Sequence, residues 1–385
     1  MHLDTLSLFH FRNYSQQDVA FCPGLNLLSG PNGHGKTNLL EAIHYGCLAH
    51  SQRTRKDKEL IEWNQSAFVL RLTGRLGDTE GAERNRGLDR DHIQSVEYME
   101  SGHKRVKVNG TESKRLSDLI GHFSVVSFSP EDLDLIRGGP QIRRRFLDVL
   151  LCQFSLEYLD TLRRYNHTLK QRNSLLKQLG GGARPTNGTG GSGFGDDVLA
   201  AFDEPLVEAG SRITVFRRRA LAELTTIATA SYRSISDGGE DLSLSLSGCI
   251  SEAEDEAALR TEFLRKLHSM RVPERETGMT LVGPHREDLS FFLAGKAVKD
   301  FGSQGQKRSV ALSLKLASAK LLEVRNGQAP ILLLDDVFAE LDEKRRLRIG
   351  ELIRDKGQVF IANPRAADLP FEAEKVITLE RGKVM

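Results

Sequence analysis

The chain has 385 residues, enough for two or three domains, and its 39% hydrophobic and 28% charged content is that of an ordinary globular protein. Lysine and arginine exceed aspartate and glutamate by only two, 54 against 52, so any basic surface for nucleic acid must be local. No run approaches the roughly 18 to 20 apolar residues of a membrane span, and Met1-His2-Leu3-Asp4 lacks the basic start of a secretory signal. Cys22, Cys47, Cys152 and Cys249 are far apart, which points to inert buried thiols and a reducing cytoplasm.

In chain order, Leu3–Phe11 and Leu25–Leu28 read as strands, and a helix is expected from Lys36 to about Ala49 with Leu39, Leu40, Ile43 and Leu48 on one side. Phe68–Leu72, Arg105–Val108 and Val125–Phe128 are further strands, and Asn109-Gly110 is a hairpin-turn pair. Helical spacing covers 131 to about 180, Val198 to about Tyr232 and Glu252–Leu267, with a polar stretch between the last two. Residues 180–195 hold eight glycines in sixteen and are expected to form a flexible loop. Strand and helix alternate again from about Met279: Leu289–Leu293, the helix Ser303–Val324, the strand Ile331–Leu334, then Val359–Ile361 and Val376–Leu379. The expected architecture is an α/β nucleotide-binding domain with a mixed sheet flanked by helices, formed by 1–128 and 275–385 and interrupted by a mainly helical insertion, 129–274.

Three motifs carry chemistry. Gly30-Pro31-Asn32-Gly33-His34-Gly35-Lys36-Thr37 follows an apolar strand and opens a helix, the context of a phosphate loop. Its backbone N–H groups make an anion cradle at a helix N-terminus; Lys36 reaches the β- and γ-phosphates of ATP, and the Thr37 hydroxyl ligates Mg²⁺. Ile331-Leu332-Leu333-Leu334-Asp335-Asp336 supplies the partner acids at the exit of a buried strand. Opposite side-chain directions on an extended chain give Asp335 the Mg²⁺ shell and Asp336 the attacking water. Ser303-Gln304-Gly305-Gln306 matches the S-x-G-Q signature of ABC-type ATPases, a hydroxyl cap and open backbone at a second helix N-terminus. Two phosphate-binding helix ends with one lysine loop imply a head-to-tail homodimer, in which Ser303 of one subunit closes on ATP held by Lys36 of the other.

Smaller features fit this frame. Ala339-Glu340-Leu341-Asp342 stands where ABC ATPases place a loop facing the opposite subunit, and Arg12, in Phe11-Arg12-Asn13-Tyr14, where DNA-repair members put an arginine near the phosphates. The metal- and water-sensing position is either Gln153 or a residue within Ser129–Asp134. No histidine follows the strand Val359–Ile361, where Ala362-Asn363-Pro364 stands instead.

Taken together the chain resembles the RecF family of bacterial recombination mediators over its whole length. The residues carrying the resemblance are Phe11–Tyr14, Gly30–Ala42, Ser129-Pro130-Glu131-Asp132-Leu133, Gly138-x-Pro140-x-x-Arg143-Arg144-x-Phe146-Leu147-Asp148 and Gly283-Pro284-His285-Arg286-x-Asp288, with the Ser303 signature and the two aspartates. The insertion is too short for the sustained heptads of SMC and Rad50 coiled coils. The resemblance implies a weak DNA-dependent ATPase of the cytoplasm that dimerises with ATP and engages duplex or gapped DNA and single-strand/double-strand junctions. It also implies work with RecO and RecR in loading RecA, in replication restart and in SOS induction, with slow hydrolysis timing release. A transport-type ATPase with a membrane permease, or an ABC-family nuclease accessory or signalling ATPase, are the alternatives.

The residues themselves say less about DNA. Arg53-x-Arg55-Lys56-x-Lys58, His103-Lys104-Arg105-x-Lys107, Arg143–Arg145 and Arg217–Arg219 could contact backbone phosphates or be solvated faces. Arg143–Arg145 could instead hold acids of their own helix.

Overall fold

The computed structural model describes residues 1–77, 90–113, 115–180, 193–236, 239–248, 255–354, 356–365, 369 and 371–385. Residues 181–192 of the expected Gly-rich loop, and 252–254 of the expected helix, lie outside them. The strands are β1 (His2–Phe11), β2 (Tyr14–Ala20), β3 (Leu25–Ser29), β4 (Ala67–Leu76), β5 (Arg90–Met99), β6 (Lys104–Val108), β7 (Thr111–Ser113), β8 (Val125–Phe128), β9 (Leu242–Ser247), β10 (Asp288–Leu293), β11 (Lys296–Ala297), β12 (Ile331–Asp335), β13 (Val359–Asn363), β14 (Lys375–Glu380) and β15 (Lys383–Val384). The helices are α1 (Lys36–Leu48), α2 (Asp134–Arg137), α3 (Pro140–Phe154), α4 (Leu156–Gly180), α5 (Gly193–Ile235), α6 (Glu256–Ser269), α7 (Arg271–Thr277), α8 (Val298–Phe301), α9 (Gln304–Asn326) and α10 (Glu343–Arg354).

The chain divides into two compact units, one of Met1–Ile136, Ile227–Asp241 and Gly302–Met385, the other of Arg137–Thr226 and Leu242–Phe301. The first holds two sheets. One is antiparallel, in the order β2-β1-β4-β5-β6-β7; the other is mixed, in the order β15-β14-β3-β13-β12-β8, with β14, β3, β13, β12 and β8 parallel and β15 antiparallel at its edge. Ile331–Leu334 are buried throughout, as a central parallel strand requires. Parallel strands put their C-terminal ends on one side of the sheet, so the loop leaving β3 and the acids leaving β12 emerge together with β13 between them.

α1 is buried around nearly its whole circumference, including Glu41, His44, Tyr45 and Cys47, rather than on the one expected side. The reason is its place: it packs on β1, β4 and β5 of one sheet and on β8, β12 and β13 of the other. The Asn109-Gly110 hairpin forms, with φ of 50° and 80° at its two residues, as its turn type requires. The second unit contains α3, α4, α6 and α7 and the antiparallel sheet β11-β10-β9. β9 lies in the stretch that reads as polar: its backbone pairs with β10 from Leu242 to Ser247, with the leucines on the more covered face and the serines exposed on the other.

Candidate nucleotide and metal site

The phosphate loop is shaped by backbone that only glycine adopts easily. Gly30 has φ +146°, and a Cβ there would stand 2.3 Å from the Leu379 carbonyl oxygen. Gly35 has φ +106°, and a Cβ there would meet the Tyr14 hydroxyl at 2.6 Å; that hydroxyl donates to the Gly35 carbonyl at 3.0 Å. The turn joining β14 and β15 braces the loop from outside: Gly382 N–H donates to the His34 carbonyl and Arg381 N–H to His34 Nδ1, both at 3.2 Å. Pro31, Asn32 and Gly33 stay exposed at the mouth. Lys36 is buried, and its Nζ donates to the Gly30 carbonyl at 2.7 Å, the Pro31 carbonyl at 3.1 Å and Asn32 Oδ1 at 3.5 Å. Burial lowers its pKa from the ordinary lysine value, against the opposing pull of Asp336 and Asp335.

Thr37 Oγ1 donates to Asp335 Oδ1 at 3.0 Å, joining the helix after β3 to the end of β12. Burial pushes the Asp335 carboxyl up to about 6; Thr37 and Arg53 oppose the shift, and the negative charges of Asp336 and Glu131 add to it. Such a field favours a cation. One carboxylate and one hydroxyl oxygen converge there, donors of the kind that would hold Mg²⁺. Asp336 departs from the extended geometry expected of it. Its φ is +49°, so it has left the strand and stands at the head of the short helix Val337–Glu340. The separation of the two carboxylates therefore comes from a left-handed residue and not from strand alternation. Its Oδ1 is buried and without a hydrogen-bond partner, a costly state for a carboxylate oxygen and one suited to receiving a water.

A cavity of about 490 Å³ opens beside this pair, and Arg12, Thr37, Glu41, Arg53, Ser129, Glu131, Asp134 and Asp335 are among the residues lining it. Arg12 sits at φ +55° in the turn between β1 and β2. Its Nε and Nη2 donate to the two carboxylate oxygens of Glu41 at 3.0 and 2.9 Å, and Nη1 donates to the Glu59 carbonyl at 2.8 Å. Arg53 Nη1 reaches the same carboxylate at 3.3 Å, and the Ser51 hydroxyl donates to it at 2.5 Å. Glu41, which the motif reading passed over, thus sets two arginines on the cavity wall.

The two alternatives for the sensing position separate. Ser129, Glu131 and Asp134 line the cavity, whereas Gln153 lies on α3 in the other compact unit, its Nε2 donating to the Val149 carbonyl. Asn363, where a histidine is missing, is buried and donates to the Arg365 carbonyl at 2.6 Å.

Ser303, Gly305 and Gln306 are not among the residues lining that cavity. Ser303 caps α9 in a reciprocal box: its Oγ accepts from Gln306 N–H at 3.2 Å, and Gln306 Oε1 accepts from Ser303 N–H at 2.8 Å. Further along α9, Lys315 Nζ donates to the Ser127 carbonyl and to Asp132 Oδ1, both at 2.8 Å. That pair ties the signature helix to the Ser129–Asp134 segment.

In the second unit the arginine clusters are largely spent on structure. Arg143, on α3, makes a two-pronged pair with Asp288 on β10, at 2.7 and 2.9 Å. Asp148 of that helix is held by the buried Arg217, at 2.7 Å, which also grips Glu287 at 2.7 Å and the Pro284 carbonyl at 2.8 Å. The Gly283–Asp288 motif is thereby part of a buried ionic network. Arg55, Lys56, Lys107 and Arg219 are exposed cations of the basic clusters.

A phosphate loop on β3, paired acids on the parallel strand two places away and a capped signature helix define a P-loop ATPase head of the ABC type. The model of the RecF/RecN/SMC N terminal domain matches residues 2–381. The chain is 42% identical over 364 residues to the DNA replication and repair protein RecF of Halalkalibacterium halodurans, covering 94% of this chain and 92% of that one. A solved structure of the recombination mediator protein RecF-ATP in the RecFOR pathway superposes with a TM-score of 0.88 at 33% identity, covering 100% of this chain and 97% of that one. An Smc head bound to the C-terminal winged-helix domain of ScpA shares the fold, at a TM-score of 0.54 and 16% identity. The chain belongs to the RecF family of the RecF/RecN/SMC N-terminal domain proteins.

Proposed function

We propose that this chain is the ATP-switched DNA clamp of recombinational gap repair, acting in the cytoplasm. Its first compact unit is the ATPase. Gly30–Thr37 cradle the triphosphate, with Lys36 on the β- and γ-phosphates. Thr37 and Asp335 would hold Mg²⁺, whose charge would offset that of the phosphates. Asp336 orients the attacking water or takes its proton, and Arg12, on the cavity wall, stands near the phosphates. Ser303, Gly305 and Gln306 of a second subunit complete the site, so ATP binding drives dimerisation and slow hydrolysis releases it. The dimer engages duplex DNA at gaps and single-strand/double-strand junctions by contacts to the backbone, and its hydrolysis is weak and DNA-dependent. With RecO and RecR it supports RecA loading, replication restart and SOS induction.

The observation that carries this reading is the 3.0 Å bond from Thr37 to Asp335, which assembles loop and acid in one chain, while the capped serine helix is outside the cavity they form. Sedimentation with and without ATP–Mg²⁺, run beside binding to gapped duplex, tests it. Wild type should dimerise and bind DNA only with ATP, and Ser303→Arg should bind ATP yet stay monomeric. Dimers of Ser303→Arg with ATP, or DNA binding indifferent to ATP, would refute the shared site or the switch respectively.

A further inference from the structure

The capping box on α9 uses Gln306 Oε1 but leaves the amide nitrogen to be placed. That Nε2 lies 3.1 and 2.9 Å from the two carboxylate oxygens of Glu240. Glu240 belongs to the Ile227–Asp241 segment, which clusters with the first compact unit although it precedes the signature by more than 60 residues. The hydroxyl of Tyr232, a side chain buried at the end of α5, donates to Glu240 Oε2 at 3.4 Å. A run of contacts therefore leads from Tyr232 through Glu240 and Gln306 to Ser303.

A glutamine on an exposed helix turn samples several rotamers, and ordering it costs entropy. Anchoring the amide nitrogen on a carboxylate fixes the torsions that aim Oε1 at Ser303 N–H. Ser303 Oγ already accepts from Gln306 N–H, which leaves its own proton to donate outward. The carboxylate thus reaches a side chain of the first turn of α9, a turn that has no acidic residue of its own.

We propose that Glu240 is a positioning residue of the signature, holding Gln306 so that the N-terminus of α9 presents a preformed set of donors to the triphosphate bound by a second copy of this chain. The proposal rests on the shared-site reading above. It differs in sign from a placeholder role, in which the carboxylate occupies the anion's place and must leave: removing a placeholder strengthens association, and removing a positioning residue weakens it.

The test compares Glu240→Ala, Glu240→Gln and wild type as full chains with ATP–Mg²⁺. The concentration for half-dimerisation should rise about tenfold or more in Glu240→Ala, because each of the two sites per dimer must then order a free Gln306 side chain on association. Glu240→Gln keeps a carbonyl acceptor for Gln306 and should recover most of that loss. ATP affinity of the monomer, set by Gly30–Thr37, should stay within about twofold in both. Without ATP, hydrogen exchange at the Ser303 and Gln306 amides should quicken in Glu240→Ala. Unchanged exchange there, or dimerisation that is unchanged or tighter, overturns the positioning role. A wild-type protein that remains monomeric with ATP overturns the shared site instead, and the exchange measurement still decides whether Glu240 orders the cap.

Discussion

Replacing Lys315 by methionine should loosen the α9 region by about 2 to 4 kcal/mol near pH 8, the scale expected when one partner of a largely buried ion pair is removed. The structure sets the number toward the lower end. Lys315 and Asp132 are 12% and 16% exposed, so some water screens the carboxylate left behind, and Asp132 Oδ2 still accepts from Ser129 N–H at 2.9 Å. Burial already pushes the Asp132 carboxyl up from its ordinary value even with Lys315 opposing the shift. Without the cation the folded-state pKa climbs further, while the unfolded value does not move. A carboxyl raised in this way exacts its full penalty above its folded pKa, and the penalty is relieved as pH falls through that value. The deficit of Lys315→Met should therefore be largest at alkaline pH and shrink on acidification, and Asp132→Asn in the same chain should recover about half of it. Native-state hydrogen exchange of the amides from Val310 to Leu322 reads the local stability. A deficit below about 0.5 kcal/mol near pH 8 would show that the pair does not clamp the helix.

Lys36→Arg should keep the fold and lower turnover by about 10²-fold, because a planar guanidinium cannot make the compact contact of an ammonium in this cradle. Near-normal hydrolysis by that variant would remove Lys36 from the site. In the second unit, His285 Nε2 donates to the Thr280 carbonyl at 3.0 Å, so Nδ1 must accept from the Tyr165 hydroxyl at 2.5 Å. Burial lowers its pKa from 6.5 to about 4. The folded state thus favours the neutral ring, and its contribution is complete above the unfolded pKa and lost as pH falls between the two values. That loss amounts to roughly 3 kcal/mol. Urea midpoints of the second unit should drop over that window in wild type and change less in His285→Gln; parallel profiles would rule the histidine out.

The contiguous motifs were legible because each is built by neighbours in sequence. Gly30–Thr37 needs a turn of glycines with lysine and threonine at the helix start, Ser303 and Gln306 form their box within one helical turn, and Asn109-Gly110 closes its hairpin unaided. The strand Ile331–Asp335 announced itself as an apolar run ending in acids. Period alone misjudged α1, since a helix held between two sheets buries sides that the leucine spacing leaves open.

Tertiary structure decided the rest, for reasons of distance and conformation. Arg143 finds Asp288 across 145 residues, Lys315 finds Ser127 across 188, and Gln306 finds Glu240 across 66. No local pattern selects those partners from the many charges of the chain. Whether Ser129–Asp134 or Gln153 belongs by the acids depended on which strand β12 pairs with, and β8 brings the first of them. Sequence set the chemistry of each motif; packing of strands in the order β3-β13-β12-β8, with the β1–β2 turn held to α1 through Arg12 and Glu41, determined which residues share the cavity, because hydrogen-bonded sheet neighbours bring distant loops to one edge.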